Sequence, residues 1–260
     1  ISRENAWRRA MERQLAKSKK RHKKWKVVFV MLVFLLMLFR EPETVMQQEN
    51  TRIYQVYCMG DSITYGSGLS EEERDTCCYP AVLEQLLGAH YEVINYGVSG
   101  RTLLNIPEKS YRGTGYVDIV KMQQPDIIIV MLGSNDSRAE RWDALAYKEE
   151  YISLVEELQA IESHPKIYIM TPPEAFPWED GEIIYGISND IIHDEVGRIV
   201  REVATETGVN VIDLYAVTED HPEYFADGLH PNKEGYSVVA QAIYEQIAKD
   251  NFENMTWNYQ

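Results

Sequence analysis

The sequence predicts a three-layer α/β/α sandwich with a central parallel sheet of five strands, preceded by a hydrophobic membrane anchor helix. Five short apolar segments alternate with segments of helical periodicity, which is typical of βαβ units. The third apolar segment, IIIVML at 127–132, has no polar alternation, as expected of a parallel strand that is covered on both faces. The most unusual motifs directly follow apolar segments, and in such sheets ligands bind beyond the carboxyl ends of the strands.

Each element of this fold follows from a local pattern. The predicted strands are residues 53–59, 91–96, 127–132, 167–170 and 209–214. Two helices are predicted where apolar residues recur at intervals of three and four, the first through Tyr147, Tyr151, Leu154, Val155 and Leu158 and the second through Ile192, Val196, Ile199, Val200 and Val203. A last helix is expected after Asn232. We predict one domain over residues 53–250, followed by a C-terminal tail at 251–260.

The charge of the chain is unevenly distributed. Residues 1–40 carry twelve Lys and Arg against two Asp and Glu, and the formal net charge of the whole chain is −15, so the remaining residues carry about −25. A domain this acidic repels nucleic acid and anionic lipid. We therefore predict no nucleic-acid partner, and a neutral substrate fits the domain better than an acidic polymer.

Thirteen consecutive apolar residues at 27–39 form a membrane signal. They follow a basic tract and precede a polar linker at 40–52, with no small-residue cleavage pattern behind them. As a helix the run rises only about 20 Å, which suits a secretory signal or a short span flanked by long polar side chains. We expect an uncleaved signal anchor, with residues 1–26 in the cytoplasm and the domain outside the cell membrane, or a secreted domain if the segment is cleaved. A buried core helix is the alternative.

The three cysteines, Cys58, Cys77 and Cys78, have a spacing that fits neither a disulfide framework nor a zinc site. Cys58 is predicted to be a small core residue. The adjacent Cys77 and Cys78 are either ordinary buried residues or a pair that responds to redox state or bonds to another chain. No cluster of His and Glu has metal-ligand spacing and no glycine loop resembles a phosphate site, so we expect neither a metal nor a cofactor.

A serine follows the first predicted strand, in the motif GDSIT at 60–64. The hydroxyl of Ser62 is a weak nucleophile unless a base removes its proton, and that base needs an acid to orient it. His230 follows Asp227 by three residues in DGLHPN, and a turn there can place the carboxylate against one imidazole nitrogen while the other faces Ser62. The alternatives are a helix-capping serine and a capping pair before the last helix.

Two further loops can supply donors for the oxyanion of a tetrahedral intermediate. In NYGVSGR, after the second strand, Gly100 would let a backbone N–H approach the reacting carbon closely. In GSND, after the third strand, the side-chain amide of Asn135 can donate, or Asn135 is a turn residue. We interpret Asp61 and Asp136 as acids that hold loops by accepting backbone N–H groups.

In this order the four motifs GDSIT, NYGVSG, LGSND and DGLHPN resemble the GDSL/SGNH hydrolase family, over about residues 53–248. The resemblance implies a flavodoxin-like sheet. It also implies a catalytic triad of Ser62, His230 and Asp227, and an oxyanion hole made by the N–H of Ser62, by Gly100 and by Asn135. The chain departs from the GDSL string at Ile63, where leucine is usual, and this exchange of one apolar residue for another puts little in doubt.

The resemblance implies a serine esterase that removes short acyl groups, above all acetyl, from carbohydrates or other extracellular molecules. The stretches SGRTLL and LGSNDSRAERWD resemble members that act on acylated glycans. Arg101 lies beside the predicted oxyanion loop and Trp142 follows the Asn135 motif by seven residues, so both are candidate substrate contacts, with an exposed arginine and a packing tryptophan as alternatives. Asp61 is a third candidate substrate contact. His193 and His221 lie beside acids and are predicted to be surface residues. The alternative functions are a membrane-anchored acyltransferase that acts on cell-envelope polymers, a lysophospholipase or thioesterase, and a non-catalytic binding module.

Overall fold

The computed structural model of the chain describes Met31, residues 52–179 and residues 181–257, with side chains up to residue 250. Apart from Met31, the predicted anchor at 27–39 lies outside the described residues, and so do residues 1–26 and most of the linker. Within the described part of the chain, no helix combines the length and the apolar character needed to cross a bilayer. The fold that follows belongs to the larger of the two units into which the chain divides, Thr51–Gln260.

Five parallel strands form one sheet. They are β1 (Tyr54–Gly60), β2 (Tyr91–Gly97), β3 (Ile127–Met131), β4 (Lys166–Met170) and β5 (Asn210–Ile212). The strand order is β2-β1-β3-β4-β5, and every neighbouring pair is parallel. The predicted five-stranded parallel sheet is therefore confirmed, and each strand begins and ends within two residues of its predicted bounds.

The helices of the described residues connect these strands and cover both faces of the sheet. They are α1 (Ser62–Tyr65), α2 (Glu71–Cys77), α3 (Tyr79–Leu87), α4 (Tyr116–Gln123), α5 (Ala144–Gln159), α6 (Asn189–Ile191), α7 (Gly197–Thr207), α8 (Leu214–Thr218) and α9 (Lys233–Trp257). Short 3₁₀ turns lie at Tyr111–Thr114, Ile184–Gly186 and Pro222–Tyr224. The helix predicted after Asn232 is confirmed, and the Asn232 side chain accepts a hydrogen bond from the N–H of Gly235.

Apolar side chains of the strands alternate between two cores, one on each face of the sheet. In β3, Ile128 and Val130 belong to the first core, whereas Ile127, Ile129 and Met131 belong to the second. Helices α4, α5 and α7 close the first core, and α3 and α9 close the second. The chain therefore has the three layers that the sequence predicts.

The strand order changes direction at β1: β2 is added on one side of β1, and β3, β4 and β5 are added on the other. In an open parallel sheet, ligands bind in the crevice at such a switch point, outside the carboxyl ends of the strands. The loops that follow β1, β2 and β3 all begin at this edge. They contain the three motifs that the sequence places at strand ends.

Two features differ from the prediction. Helix α9 continues to Trp257, so residues 251–257, predicted as part of a tail, are helical. After Gly235 this segment contains no glycine or proline, so nothing in the sequence ends the helix at residue 250. The second predicted helix is interrupted by a π turn at Ile192–Val196, between α6 and α7.

Candidate active site

Ser62 lies at the start of a tight turn at the carboxyl end of β1. The carboxylate of Asp61 caps this turn by accepting a hydrogen bond of 3.0 Å from the N–H of Ile63. Gly60, the last residue of β1, packs against both this turn and β3, because a Cβ there would lie 2.1 Å from Thr64 Oγ1 and 2.6 Å from the carbonyl oxygen of Met131. Ser62 is held here with only 7% of its surface exposed.

The end of β2 supports this turn from the side. The Asn95 side chain donates a 2.8 Å hydrogen bond to the carbonyl oxygen of Thr64 and accepts one from the N–H of Gly97. Gly97 packs directly on the turn, since a Cβ there would lie 2.2 Å from the backbone nitrogen of Tyr65. The backbone that carries Ser62 is therefore fixed by contacts that leave no room for a side chain at residue 97.

The loop before α9 brings a histidine and an aspartate to Ser62. His230 Nε2 lies 3.0 Å from Ser62 Oγ, and His230 Nδ1 lies 2.7 Å from Asp227 Oδ2. The other oxygen of Asp227 accepts hydrogen bonds from the N–H groups of Leu229, at 3.0 Å, and His230, at 2.7 Å. The structure thus places the predicted triad residues in one hydrogen-bonded line.

The carboxyl group of Asp227 remains ionised more readily than an ordinary aspartate. Burial acts to raise its pKa, but the hydrogen bonds from the ring and the N–H of His230 and from the N–H of Leu229 outweigh burial. The pKa of Asp227 therefore lies below its usual value. An ionised Asp227 accepts the Nδ1 proton of His230 and leaves Nε2 free to accept a proton from Ser62.

The loops expected to hold the oxyanion donors lie beside this line. The Asn135 side-chain amide donates to the carbonyl oxygen of Arg101 at 3.0 Å and to Asp61 Oδ2 at 3.3 Å, so it links the loops after β1, β2 and β3. Gly100 has φ +75°, which favours glycine. A Cβ on Gly100 would meet no atom within 4 Å, so backbone conformation rather than lack of space is the reason for a glycine there.

Two buried carboxyl groups hold these loops together. Asp136 accepts hydrogen bonds from the N–H groups of Leu103, at 3.1 Å, and Leu104, at 2.8 Å. Burial raises the pKa of Asp136 to about 7, and the nearby charge of Asp61 adds to this shift. Burial likewise raises the pKa of Asp61 to about 6, against the opposing effects of the Ile63 N–H and His230. Both acids hold loops by accepting N–H groups, as interpreted from the sequence.

Two of the candidate substrate contacts, Asp61 and Arg101, make hydrogen bonds within the protein. Asp61 is completely buried, so its carboxylate cannot touch a substrate, and the prediction of a substrate contact there is wrong. Arg101 donates to the carbonyl oxygen of Glu108 at 2.6 Å and so ties its own loop together.

The contacts of Trp142 are those of a packing residue. Its indole nitrogen donates to Glu195 at 2.8 Å, and its ring packs against Tyr147 with centroids 5.1 Å apart. These contacts join the start of α5 to the π turn.

Other predicted residues lie apart from Ser62. His193 is paired with Asp194 and His221 with Glu223, both at 2.7 Å, and both histidines are exposed. Cys58 is buried in the second core, as predicted. Within the part of the chain that the structure describes, no group of three or more His, Cys, Asp or Glu is arranged to hold a metal ion.

Sequence reasoning did not find Tyr185. Its ring centroid lies 6.1 Å from that of His230, at an interplanar angle of 61°, and 62% of the residue is exposed. Tyr185 belongs to the connection between β4 and α6, which has neither strand nor helix periodicity. Only the path of that connection brings it to His230, and no sequence motif marks it.

A serine, a histidine and an aspartate in one hydrogen-bonded line are the arrangement of the serine hydrolases. The turn differs from the G-x-S-x-G elbow of the α/β-hydrolases, because Thr64 stands where the second glycine would be. Residues 58–238 match the GDSL-like lipase/acylhydrolase family, and the chain belongs to this family of ester hydrolases.

Several known proteins similar to the chain are described as esterases. An acetylxylan esterase of Xylanibacter ruminicola is 32% identical over 208 residues, which is 73% of this chain but 42% of that enzyme. An acetylxylan esterase of Geobacillus stearothermophilus is 28% identical over 192 residues, or 65% of this chain and 80% of the relative. Among solved structures, an aryl esterase of M. smegmatis is 25% identical, with a TM-score of 0.63, and the match covers 75% of this chain and 99% of that one. The chain thus spans less than half of the first relative.

Proposed function

We propose that this chain is a serine esterase that removes acetyl groups from acetylated carbohydrates. The observation that carries the proposal is the line of hydrogen bonds from Ser62 Oγ through His230 to Asp227. The two acetylxylan esterases among its relatives favour acetyl as the acyl group and a glycan as the alcohol. The acidity of the domain favours a neutral glycan over an anionic one.

The mechanism follows from the placement of the three side chains. His230 Nε2 takes the proton of Ser62 Oγ as that oxygen attacks the carbonyl carbon of the acetyl ester. The tetrahedral intermediate then expels the sugar oxygen, which receives the same proton from His230, and acetyl remains on Ser62. Water, deprotonated by His230, then attacks the acetyl carbon, and the bond from this carbon to Ser62 Oγ breaks as His230 returns the proton to that oxygen, which releases acetate. Asp227 stabilises the imidazolium that forms in each half of the cycle.

The oxyanion of each intermediate needs donors on the side of Ser62 away from His230. We assign them to the N–H groups of Ser62 and Gly100 and to the side-chain amide of Asn135. The bond from Asn135 to Asp61 is long, at 3.3 Å, so little is lost when this amide turns its hydrogen to the oxyanion. One well-placed donor of this kind contributes about 3 kcal/mol to catalysis.

The test compares turnover of p-nitrophenyl acetate by the full chain and by Ser62→Ala. We expect kcat/KM to fall by at least about a thousandfold. Ser237→Ala is the matched control, because the Ser237 hydroxyl lies on α9, is exposed and donates to the carbonyl oxygen of Lys233 at 2.9 Å. Equal circular dichroism spectra and melting temperatures would show that all three proteins are folded alike.

A second assay, with acetylated xylan, tests whether the substrate is an acetylated glycan. Release of acetate, lost in Ser62→Ala and kept in Ser237→Ala, is the expected result. Turnover that survives in Ser62→Ala would contradict the role of Ser62. If an added glycan acceptor gains an acetyl group and no free acetate is formed, the reaction is acetyl transfer and not hydrolysis.

A further inference from the structure

We propose that Tyr185 is the surface on which the sugar ring of the substrate stacks while the bond between the acetyl carbon and the sugar oxygen breaks. The proposal rests on the esterase function proposed above and names the part of the site that recognises the alcohol. It depends on the position of Tyr185 beside His230, on its exposure, and on the way its segment is held.

Tyr185 lies where the leaving group must be. In the first half of the reaction His230 gives its proton to the sugar oxygen, so that oxygen comes within hydrogen-bond distance of His230 Nε2. The acetyl carbonyl oxygen points the other way, towards Gly100 and Asn135. A pyranose attached through the leaving oxygen therefore extends past His230, whose ring centroid lies 6.1 Å from that of Tyr185.

The ring of Tyr185 is available for stacking. Its plane is inclined by 61° to the imidazole, so it meets His230 edge to face and does not lie flat upon it. The residue is 62% exposed. The axial C–H bonds of a pyranose carry partial positive charge and meet the negative face of an aromatic ring favourably. A neutral sugar is suited to such a surface, whereas an ethyl group is too small to cover it.

The segment that carries Tyr185 is anchored at both ends to the candidate site. At its start the N–H of Phe176 donates to the carbonyl oxygen of Gly228, two residues before His230, at 2.8 Å. At its end the N–H of Ser188 donates to the hydroxyl of Ser137, on the loop of Asn135, at 3.3 Å. The ends of this segment are therefore bonded to the loop of His230 and to the loop of Asn135, on the two sides of the reacting ester.

Packing within this segment does not account for the tyrosine. Ile183, Ile184 and Ile187 pack against a small apolar cluster that includes Leu229, while Tyr185 turns outwards between them. Its backbone has φ +59° and ψ +13°, a conformation that bulky residues rarely adopt. An exposed ring held in an unfavourable backbone conformation beside a catalytic group is expected where the ring itself contacts a ligand.

The experiment measures two acetates with the full chain, ethyl acetate and xylobiose that carries one O-acetyl group, by titration of the acid released. Tyr185→Asn removes the ring and is compatible with positive φ, whereas Tyr185→Phe keeps the ring. We expect Tyr185→Asn to lower kcat/KM for the acetylated xylobiose about tenfold, mainly through KM, and to leave ethyl acetate within about twofold of the wild type. Tyr185→Phe should remain close to the wild type for both.

Trp178→Ala is the matched control, because Trp178 lies on the same segment and is 41% exposed. An equal loss in Trp178→Ala would assign the effect to the segment and contradict the proposal, as would an unchanged ratio of the two substrates in Tyr185→Asn. Wild-type turnover of the two acetates keeps the two ideas apart. If the wild type hydrolyses neither acetate, the esterase function fails. If ethyl acetate is hydrolysed and the ratio does not depend on residue 185, only the role of Tyr185 fails.

Discussion

At the residue scale, the carboxylate of Asp227 performs two tasks. One oxygen accepts hydrogen bonds from the backbone N–H groups of Leu229 and His230 and so shapes the loop. The other oxygen accepts a hydrogen bond from the ring N–H of His230. The first task needs only an oxygen, whereas the second needs a negative charge. The two tasks can therefore be separated by substitution.

Asp227→Asn separates them. The amide oxygen can still accept the backbone N–H groups, but the amide nitrogen opposite His230 Nδ1 favours the tautomer that carries its proton on Nε2, towards Ser62. We expect kcat for p-nitrophenyl acetate to fall by about a hundredfold or more, with little change in melting temperature. Glu223→Gln is the control, because it changes an acid that pairs with another histidine, His221, at the same 2.7 Å. Full activity in Asp227→Asn would show that the charge of Asp227 is not needed for catalysis.

At the element scale, the turn that carries Ser62 depends on its contact with the end of β2. Gly97 lies against the backbone of this turn, where the nearest atoms to a Cβ would be Tyr65 N at 2.2 Å and the Thr64 carbonyl carbon at 2.5 Å. Backbone atoms cannot move aside as a flexible side chain can. A side chain at residue 97 must therefore displace either α1 or β2.

Gly97→Ala is expected to destabilise the domain by about 1–3 kcal/mol and to lower kcat by shifting Ser62 away from His230. Gly113→Ala is the matched control, because a Cβ on Gly113 would meet no atom within 4 Å. Urea unfolding and p-nitrophenyl acetate turnover measure both effects. A Gly97→Ala protein as stable and as active as Gly113→Ala would contradict this packing.

Sequence patterns predict some of these elements and site residues but not others. The five strands could be predicted because each lies in a short segment rich in apolar residues, although β1 contains Gln55 and β2 contains Glu92 and Asn95. Helix α2 could not be found from apolar periodicity, since none of its residues is buried, although the capping box of Ser70 and Glu73 marks its start. Ser62, Asp227, His230 and Asn135 could be located because each lies in a motif at a strand end or before a helix. Tyr185 and the π turn at Ile192–Val196 could not, because both depend on how distant segments pack.

At the scale of the whole molecule, stability should depend on the two carboxyl groups buried beneath the site. Asp61 and Asp136 have pKa values raised to about 6 and about 7, above the ordinary 3.8. Between about pH 4 and pH 7 the folded chain therefore binds more protons than the unfolded chain. The stabilisation from protonating these groups is fully present at the acid end of this window and is lost as the pH rises through it.

We expect the free energy of unfolding in urea to fall between pH 5 and pH 8, by an amount on the order of a few kcal/mol. Asp136→Asn, which resembles the protonated acid, should make this dependence shallower. Asp118→Asn changes an exposed acid on α4 and should leave the dependence as it is. Stability that rises from pH 5 to pH 8 in the wild type would show that the two buried groups do not govern it.

Covalent labelling of Ser62 tests whether His230 activates this serine as a nucleophile. A fluorophosphonate reacts with a serine only when a neighbouring base activates it, and the modified residue can be identified by peptide mass spectrometry. We expect one label per chain, on Ser62, and almost none in His230→Ala under the same conditions. A label on another residue, or equal labelling of Ser62 in His230→Ala, would contradict it.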